Sequence, residues 1–139
     1  MSQTNVKPVR IVMLDDDPED ALLVSTAIKR LEYDVPFQHI QTSQAFTSYL
    51  SEDYITQSLE SVVILLLDLN MPCKTGLEWL KELRSEAQYK DLIIVVFSTS
   101  GMTEERVRSL SLGADEHLGK PDRVQDLTRK LDILCRRYV

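Results

Sequence analysis

Residues Val62-Val63-Ile64-Leu65-Leu66-Leu67 run apolar without interruption and end on a carboxylate, Asp68. Such a run, rich in Val and Ile, fits a strand buried on both faces, as in a parallel sheet. Met71-Pro72 stops it, because proline cannot donate to a ladder and restricts the residue before it. Asp68 is therefore predicted at the carboxyl end of a central strand. Open α/β sheets bind their ligands at that edge.

Two other runs share the pattern. Val9 to Leu14 ends on Asp15-Asp16-Asp17-Pro18, and Leu92 to Phe97 ends on Ser98-Thr99-Ser100-Gly101. Phe37 to Gln41 and Glu116 to Leu118 read as two shorter strands, the second followed by Gly119-Lys120-Pro121. Helical spacings fill the gaps. Pro18 after an Asp cap opens a helix with Ala21, Val24, Ile28 and Leu31 on one face. Thr42 or Ser43 caps a second, with Ala45, Phe46, Tyr49 and Leu50 apolar. A third runs from Gly76 to about Glu86, with Leu77, Leu80 and Leu83 inward and Trp79 at its margin. A fourth opens at Thr103, carries Val107 and Leu110, and closes on Gly113. The last, about Arg123 to Arg137, carries Val124, Leu127, Leu131 and Leu134. The polar segment Ser51 to Ser61 reads as the end of the second helix plus a surface connection.

Five strands alternating with five helices predict an α/β fold, a parallel sheet covered on both faces. The expected strand order is 2-1-3-4-5, that of the flavodoxin-like (βα)5 sandwich. Residues 1–8 read as a flexible tail and 9–139 as one domain. The chain of 139 residues suits a single core. A net charge of −6 without any Lys/Arg block makes nucleic acid a poor partner. No apolar stretch approaches the roughly 20 residues that cross a bilayer. The polar start, Met1 to Lys7, is not a secretory signal. Cys73 and Cys135 suggest neither a disulfide framework nor a zinc site. The expected location is the cytosol.

The switch point of such a sheet lies between strands 1 and 3, where Asp15, Asp16 and Asp68 would meet. Two like charges ~4 Å apart cost about 4 kcal/mol at an effective dielectric of 20. A cation resolves that repulsion. Hard oxygen ligands with no nearby histidine or thiolate point to Mg²⁺. The plainer reading makes Asp15 to Asp17 helix-capping acids, but an acid ending the adjacent strand speaks against it. Asp68 is a candidate nucleophile, since a carboxylate can accept a phosphoryl group. Phosphoryl transfer needs in-line positioning and positive charge on the equatorial oxygens. Lys120 offers a mobile ammonium for this, and Ser98 a hydroxyl at the same edge. Taken singly, Lys120 reads as a solvated lysine and Ser98 as a turn serine.

These residues, Asp15-Asp16, Asp68-Leu69-Asn70-Met71-Pro72 with Gly76, Ser98-Thr99-Ser100 and Lys120-Pro121, resemble the receiver domain of two-component response regulators. The resemblance covers roughly Val9 to Arg137. Within that family the chain is most similar to stand-alone receivers associated with phytochrome-type histidine kinases, through its long 51–61 connection and its Ser-Thr-Ser. The resemblance implies that Asp68 accepts phosphate from a phosphohistidine on a sensor histidine kinase or a histidine phosphotransfer protein. It implies Mg²⁺ ligation by Asp16, Asp68 and the Asn70 carbonyl, with Asp15 acting mainly through a metal-bound water. Lys120 would pair with Asp68 and then with the phosphoryl group. Ser98 would bond the phosphoryl oxygen and draw its loop inward. His117 stands where the family has its rotating aromatic. Asn70 and Ser100 would flank the attacking water, and Lys120–Pro121 would be a cis peptide.

Some positions depart from the pattern. His117 replaces Tyr or Phe, leaving a muted or pH-sensitive switch beside a plain edge-strand histidine. Thr75 stands where an Asp often precedes the glycine, and Gly119 before Lys120 could loosen the lysine. Cys73 reads as a small loop residue rather than a redox sensor. The expected output is a surface built from the fourth helix, fifth strand and fifth helix, with stoichiometric phosphorylation rather than turnover. The chain ending at Val139 implies protein partners only. A homodimer stays open, because most apolar residues at 124, 127, 131, 134 and 138 must face the core. Two rivals stand beside this reading. One is a haloacid-dehalogenase-type phosphohydrolase, which wants an acid where Asn70 stands. The other is a degenerate receiver that binds partners without phosphate.

Overall fold

Each apolar run forms a strand, and the five strands make one parallel sheet. The structure, a computed structural model, describes residues 7–99 and 103–138. The strands are β1 (Val9–Leu14), β2 (Phe37–Ile40), β3 (Val62–Leu67), β4 (Ile93–Ser98) and β5 (Glu116–Gly119). Their order is β2-β1-β3-β4-β5, as predicted. The helices are α1 (Pro18–Lys29), α2 (Ser43–Glu52), α3 (Tyr54–Glu60), α4 (Gly76–Ser85), α5 (Thr103–Ser111) and α6 (Val124–Arg137). A 3₁₀ turn at Ala87–Tyr89 follows α4.

Alternation along the strands splits the core into two layers. Ile11, Met13, Ile64, Leu66, Val95 and Phe97 face α1 and α6. Val12, Leu14, Leu65, Leu67, Ile94 and Val96 face the other way, toward α2, α3 and α4. Both faces of the central strands are thus dry. That explains why they read as unbroken apolar runs.

The helix starts follow local chemistry. The Asp17 side chain accepts the Glu19 N–H at 2.9 Å, with Pro18 in the first turn. The Thr42 hydroxyl accepts the Ala45 N–H at 3.1 Å. Thr75 and Glu78 form a reciprocal capping box at the start of α4.

Several expectations are corrected. The segment after Ser51 is not a surface connection. It holds α3, whose Tyr54 is buried and meets Tyr49 and Tyr89 edge-on. The described residues therefore contain six α-helices, not five. Trp79 is not marginal but 2% exposed. Its ring packs edge-on to Phe46, and its indole N–H donates to the Ser43 hydroxyl at 3.0 Å. Burial is tolerable because that N–H has a partner. On α5 the buried position is not an apolar one. Val107 and Leu110 are exposed, while Ser109 is buried and donates to the Glu105 carbonyl at 2.8 Å. Lys120–Pro121 is trans. Trans is the default form by about 0.5–1 kcal/mol, and here β5 ends with the Lys120 N–H completing the ladder on the Ser98 carbonyl. Residues 1–6 of the expected tail, and Ser100 with its expected water, lie outside the described residues.

Candidate functional site

Ladder bonds just past the strand ends fix the edge where chemistry was expected. The Asp15 N–H donates to the Ile40 carbonyl at 3.1 Å, the Asp68 N–H to Leu14 at 3.0 Å, and the Lys120 N–H to Ser98 at 2.8 Å. Leu14 pairs with Leu67, and Ser98 with Gly119. Asp15, Asp68, Ser98 and Lys120 therefore leave four neighbouring strands at one rim.

Asp15, Asp16 and Asp68 each turn a carboxylate oxygen to within 4.8 Å of the others. Asp15 and Asp68 are buried, whereas Asp16 is exposed. Backbone amides hold the buried pair. The Asp17 N–H donates to Asp15 Oδ1 at 2.8 Å, and the Asn70 N–H to Asp68 Oδ1 at 3.3 Å. Asn70 itself is exposed. Lys120 Nζ reaches into the cluster, 3.2 Å from Asp15 Oδ2 and 3.6 Å from Asp68 Oδ1.

The electrostatics follow from burial. Desolvation pushes the Asp15 carboxyl up to about 6, against the Asp17 amide and the Lys120 charge, which pull it down. Asp68 is raised for the same first reason, and Lys120 opposes the rise. For Lys120 burial works against the ammonium. The bond to Asp20 and the charges of Asp15 and Asp68 outweigh it, so its pKa is raised. One ammonium thus serves three buried or half-buried acids. The oxygen-only donor set and this surplus of negative charge fit a hard divalent cation of the Mg²⁺ type.

Ser98 is fully buried at the end of β4. His117 does not join the cluster. It lies on β5, and its Nε2 is 3.1 Å from Glu105 Oε1 of α5.

Two residues at the site were missed in the sequence. His39 of β2 lies near the cluster after all, its Nε2–H donating to the Asp15 backbone carbonyl at 2.7 Å. The carbonyl can only accept, so this nitrogen carries the proton. The bond steadies the end of β1 and leaves the carboxylates free of imidazole. The other residue is Asp20, whose Oδ2 takes a bond from Lys120 Nζ at 2.6 Å. Its signal was present. Residues 20, 24 and 28 recur every four positions, so Asp20 continues the inward stripe of α1 toward the rim.

Comparisons with known proteins identify the family and the fold. The family profile described as the response regulator receiver domain matches residues 11–132. A chemotaxis protein CheY homolog of Campylobacter jejuni is 28% identical over 124 residues, 89% of this chain and 90% of that protein. Among solved structures, the Mn²⁺-bound form of response regulator Rcp1 superposes with a TM-score of 0.72 at 26% identity, covering 91% of each chain. The phosphorylated cyanobacterial phytochrome response regulator RcpA superposes at 0.76 with 23% identity, covering 93% of this chain and 92% of its own. At that identity RcpA speaks for the fold.

Proposed function

Because this chain belongs to the response regulator receiver domain family, we propose that it is a phosphorylation switch with Asp68 as phosphoacceptor. One observation carries the reading: a buried, strand-end carboxylate stands beside two further acids within ion-binding distance and a lysine ammonium at 3.6 Å.

The donor is a phosphohistidine on a sensor histidine kinase or a histidine phosphotransfer protein. An Asp68 carboxylate oxygen attacks phosphorus, the P–N bond to the donor imidazole breaks, and the leaving nitrogen takes a proton. Asp15, Asp16, Asp68 and the Asn70 carbonyl are the residues that would hold Mg²⁺. When bound, the ion supplies positive charge to the transferring phosphoryl oxygens. Lys120, 3.6 Å from Asp68 Oδ1, supplies further positive charge. The Asn70 N–H on Asp68 Oδ1 orients the carboxylate. Burial of Asp68 limits water around the acyl phosphate that results.

The output is a surface of α5, β5 and α6. Ser98, buried at the end of β4, bonds the new phosphoryl oxygen. Ser98 pairs with Gly119 of β5, and His117 of β5 meets Glu105 of α5, so the change at Ser98 reaches α5 through β5. The exposed Val107 and Leu110 of α5 offer contact area to a protein partner or to a second copy of the chain.

The test is incubation with acetyl phosphate and Mg²⁺, followed by intact mass. One phosphoryl group should add to wild type, be lost on mild base treatment, and never appear on Asp68→Asn. Absence of the adduct from wild type would overturn the reading.

A further inference from the structure

Lys120 has a choice of partners, and the distances rank them. Its Nζ lies 2.6 Å from Asp20, 3.2 Å from Asp15 and 3.6 Å from Asp68. The shortest bond goes to the acid outside the three-carboxylate cluster. Asp20 stands in the first turn of α1, not on a strand end. It is about one quarter exposed, while the lysine side chain is only 10% exposed. An ammonium has three donors, and a contact of 3.6 Å lies beyond a good hydrogen bond. The lysine is therefore ion-paired with Asp68 without hydrogen-bonding it, while Asp20 and Asp15 are hydrogen-bonded.

We propose that Asp20 is a positioning residue that parks Lys120 away from the phosphoacceptor in the resting state. This inference rests on the phosphoacceptor reading of Asp68 and deepens it. When a phosphoryl group arrives on Asp68, the ammonium swings toward it and gives up the Asp20 bond. The Asp20 bond opposes that swing, so it biases the rim toward rest. Removing it leaves the longer Asp15 bond as the remaining restraint, so the lysine turns more readily to the phosphoryl group.

The test uses beryllofluoride, which mimics the phosphoryl group on an aspartate, at saturating Mg²⁺ and with fluorine NMR. Asp20→Asn and Asp20→Ser should each lower the half-saturating concentration by about threefold or more, the fold-change expected for a partly exposed ion pair. Asp20→Glu should restore the wild-type value, because it keeps the bond. Glu19→Gln controls for charge alone, since Glu19 is exposed in the same turn. In metal-free protein with nitrogen-labelled lysine, the Lys120 ammonium signal should be protected in wild type and Asp20→Glu and lost in the two neutral variants. An equal gain in Glu19→Gln, or unchanged binding in both neutral variants, overturns the parking role. Wild type that takes up no beryllofluoride overturns the phosphoacceptor reading instead. Normal uptake abolished by Asp68→Asn, with Asp20 variants unchanged, sinks only the role given to Asp20.

Discussion

Gly76 packs directly against the backbone of Asp68. A Cβ at Gly76 would stand 2.3 Å from the Asp68 carbonyl oxygen and 2.7 Å from the Leu69 Cα. Both neighbours are backbone, so neither can yield without moving the rim. The Gly76 N–H also donates to the Leu69 carbonyl at 3.2 Å, tying the start of α4 to the end of β3. Gly76→Ala should therefore cost about 1–3 kcal/mol through overpacking and displace Asp68. Urea unfolding would give the first effect and acetyl phosphate labelling the second. Wild-type stability with wild-type labelling would show that the contact has slack.

Arg84 ties together the opposite edge of the sheet. Its guanidinium donates to the carbonyls of Gly113, Tyr89 and Leu92 at 2.7, 3.1 and 2.8 Å, and to Asp115 Oδ2 at 2.8 Å. Asp115 in turn accepts the Ile94 N–H at 2.8 Å. A planar fork meets these four acceptors, and an ammonium cannot. Arg84→Met should lower stability by about 2–4 kcal/mol, and Arg84→Lys should recover only part of it. The site lies at the other rim, so phosphoacceptance should persist in whatever fraction is folded. Equal urea midpoints for wild type and Arg84→Lys would contradict the fork argument.

Burial of Asp15 sets a pH dependence with a definite sign. Its carboxyl titrates near 3.8 unfolded and about 6 folded, with desolvation as the largest cause. Between those values the folded state holds the extra proton. The stability this group contributes is therefore fully present below the unfolded value and is lost as pH rises through about 6. Asp68 is shifted the same way and adds to the slope. In metal-free protein, wild type should weaken between about pH 4 and about pH 7, by up to about 3 kcal/mol from Asp15. Asp15→Asn should flatten that part of the profile and be the more stable protein at neutral pH. Parallel pH profiles for the two would refute the assignment.

The sheet and its chemical rim were legible because buried parallel strands announce themselves. An apolar run stopped by a polar residue marks both the strand and its ligand edge. What failed was whatever depended on single contacts. The real inner stripe of α4 is Gly76, Trp79, Leu80 and Leu83. Leu77 packs half-buried at the border of that stripe, as expected. Glycine carries no apolar signal, so the stripe's centre at Gly76 and Trp79 was hidden and Trp79 read as marginal. The seven residues of α3 bury only Tyr54, too short a pattern for a helical period to emerge. Asp20 shares the four-residue spacing of Val24 and Ile28, but an acid in a first helical turn is also ordinary, so the spacing alone named no partner. Only the fold brings Lys120, one hundred residues later in the chain, to meet it.

Asp16, a proposed Mg²⁺ ligand, allows metal binding to be tested apart from folding. It is the exposed member of the three-carboxylate cluster, so its charge costs little desolvation and does little for the core. Asp16→Asn should leave metal-free stability within about 0.5 kcal/mol of wild type, as surface changes usually do. The Mg²⁺ response should differ. At one hundred times its dissociation constant, Mg²⁺ should stabilise wild type by about 2.7 kcal/mol. If the variant binds about tenfold more weakly, the same concentration should add only about 1.4 kcal/mol. Urea midpoints with and without Mg²⁺ measure both numbers. Equal gains in the two proteins would mean that Asp16 is not a ligand. No gain in wild type would mean that the carboxylates at this rim hold no Mg²⁺, and Lys120 would then be their main counter-charge.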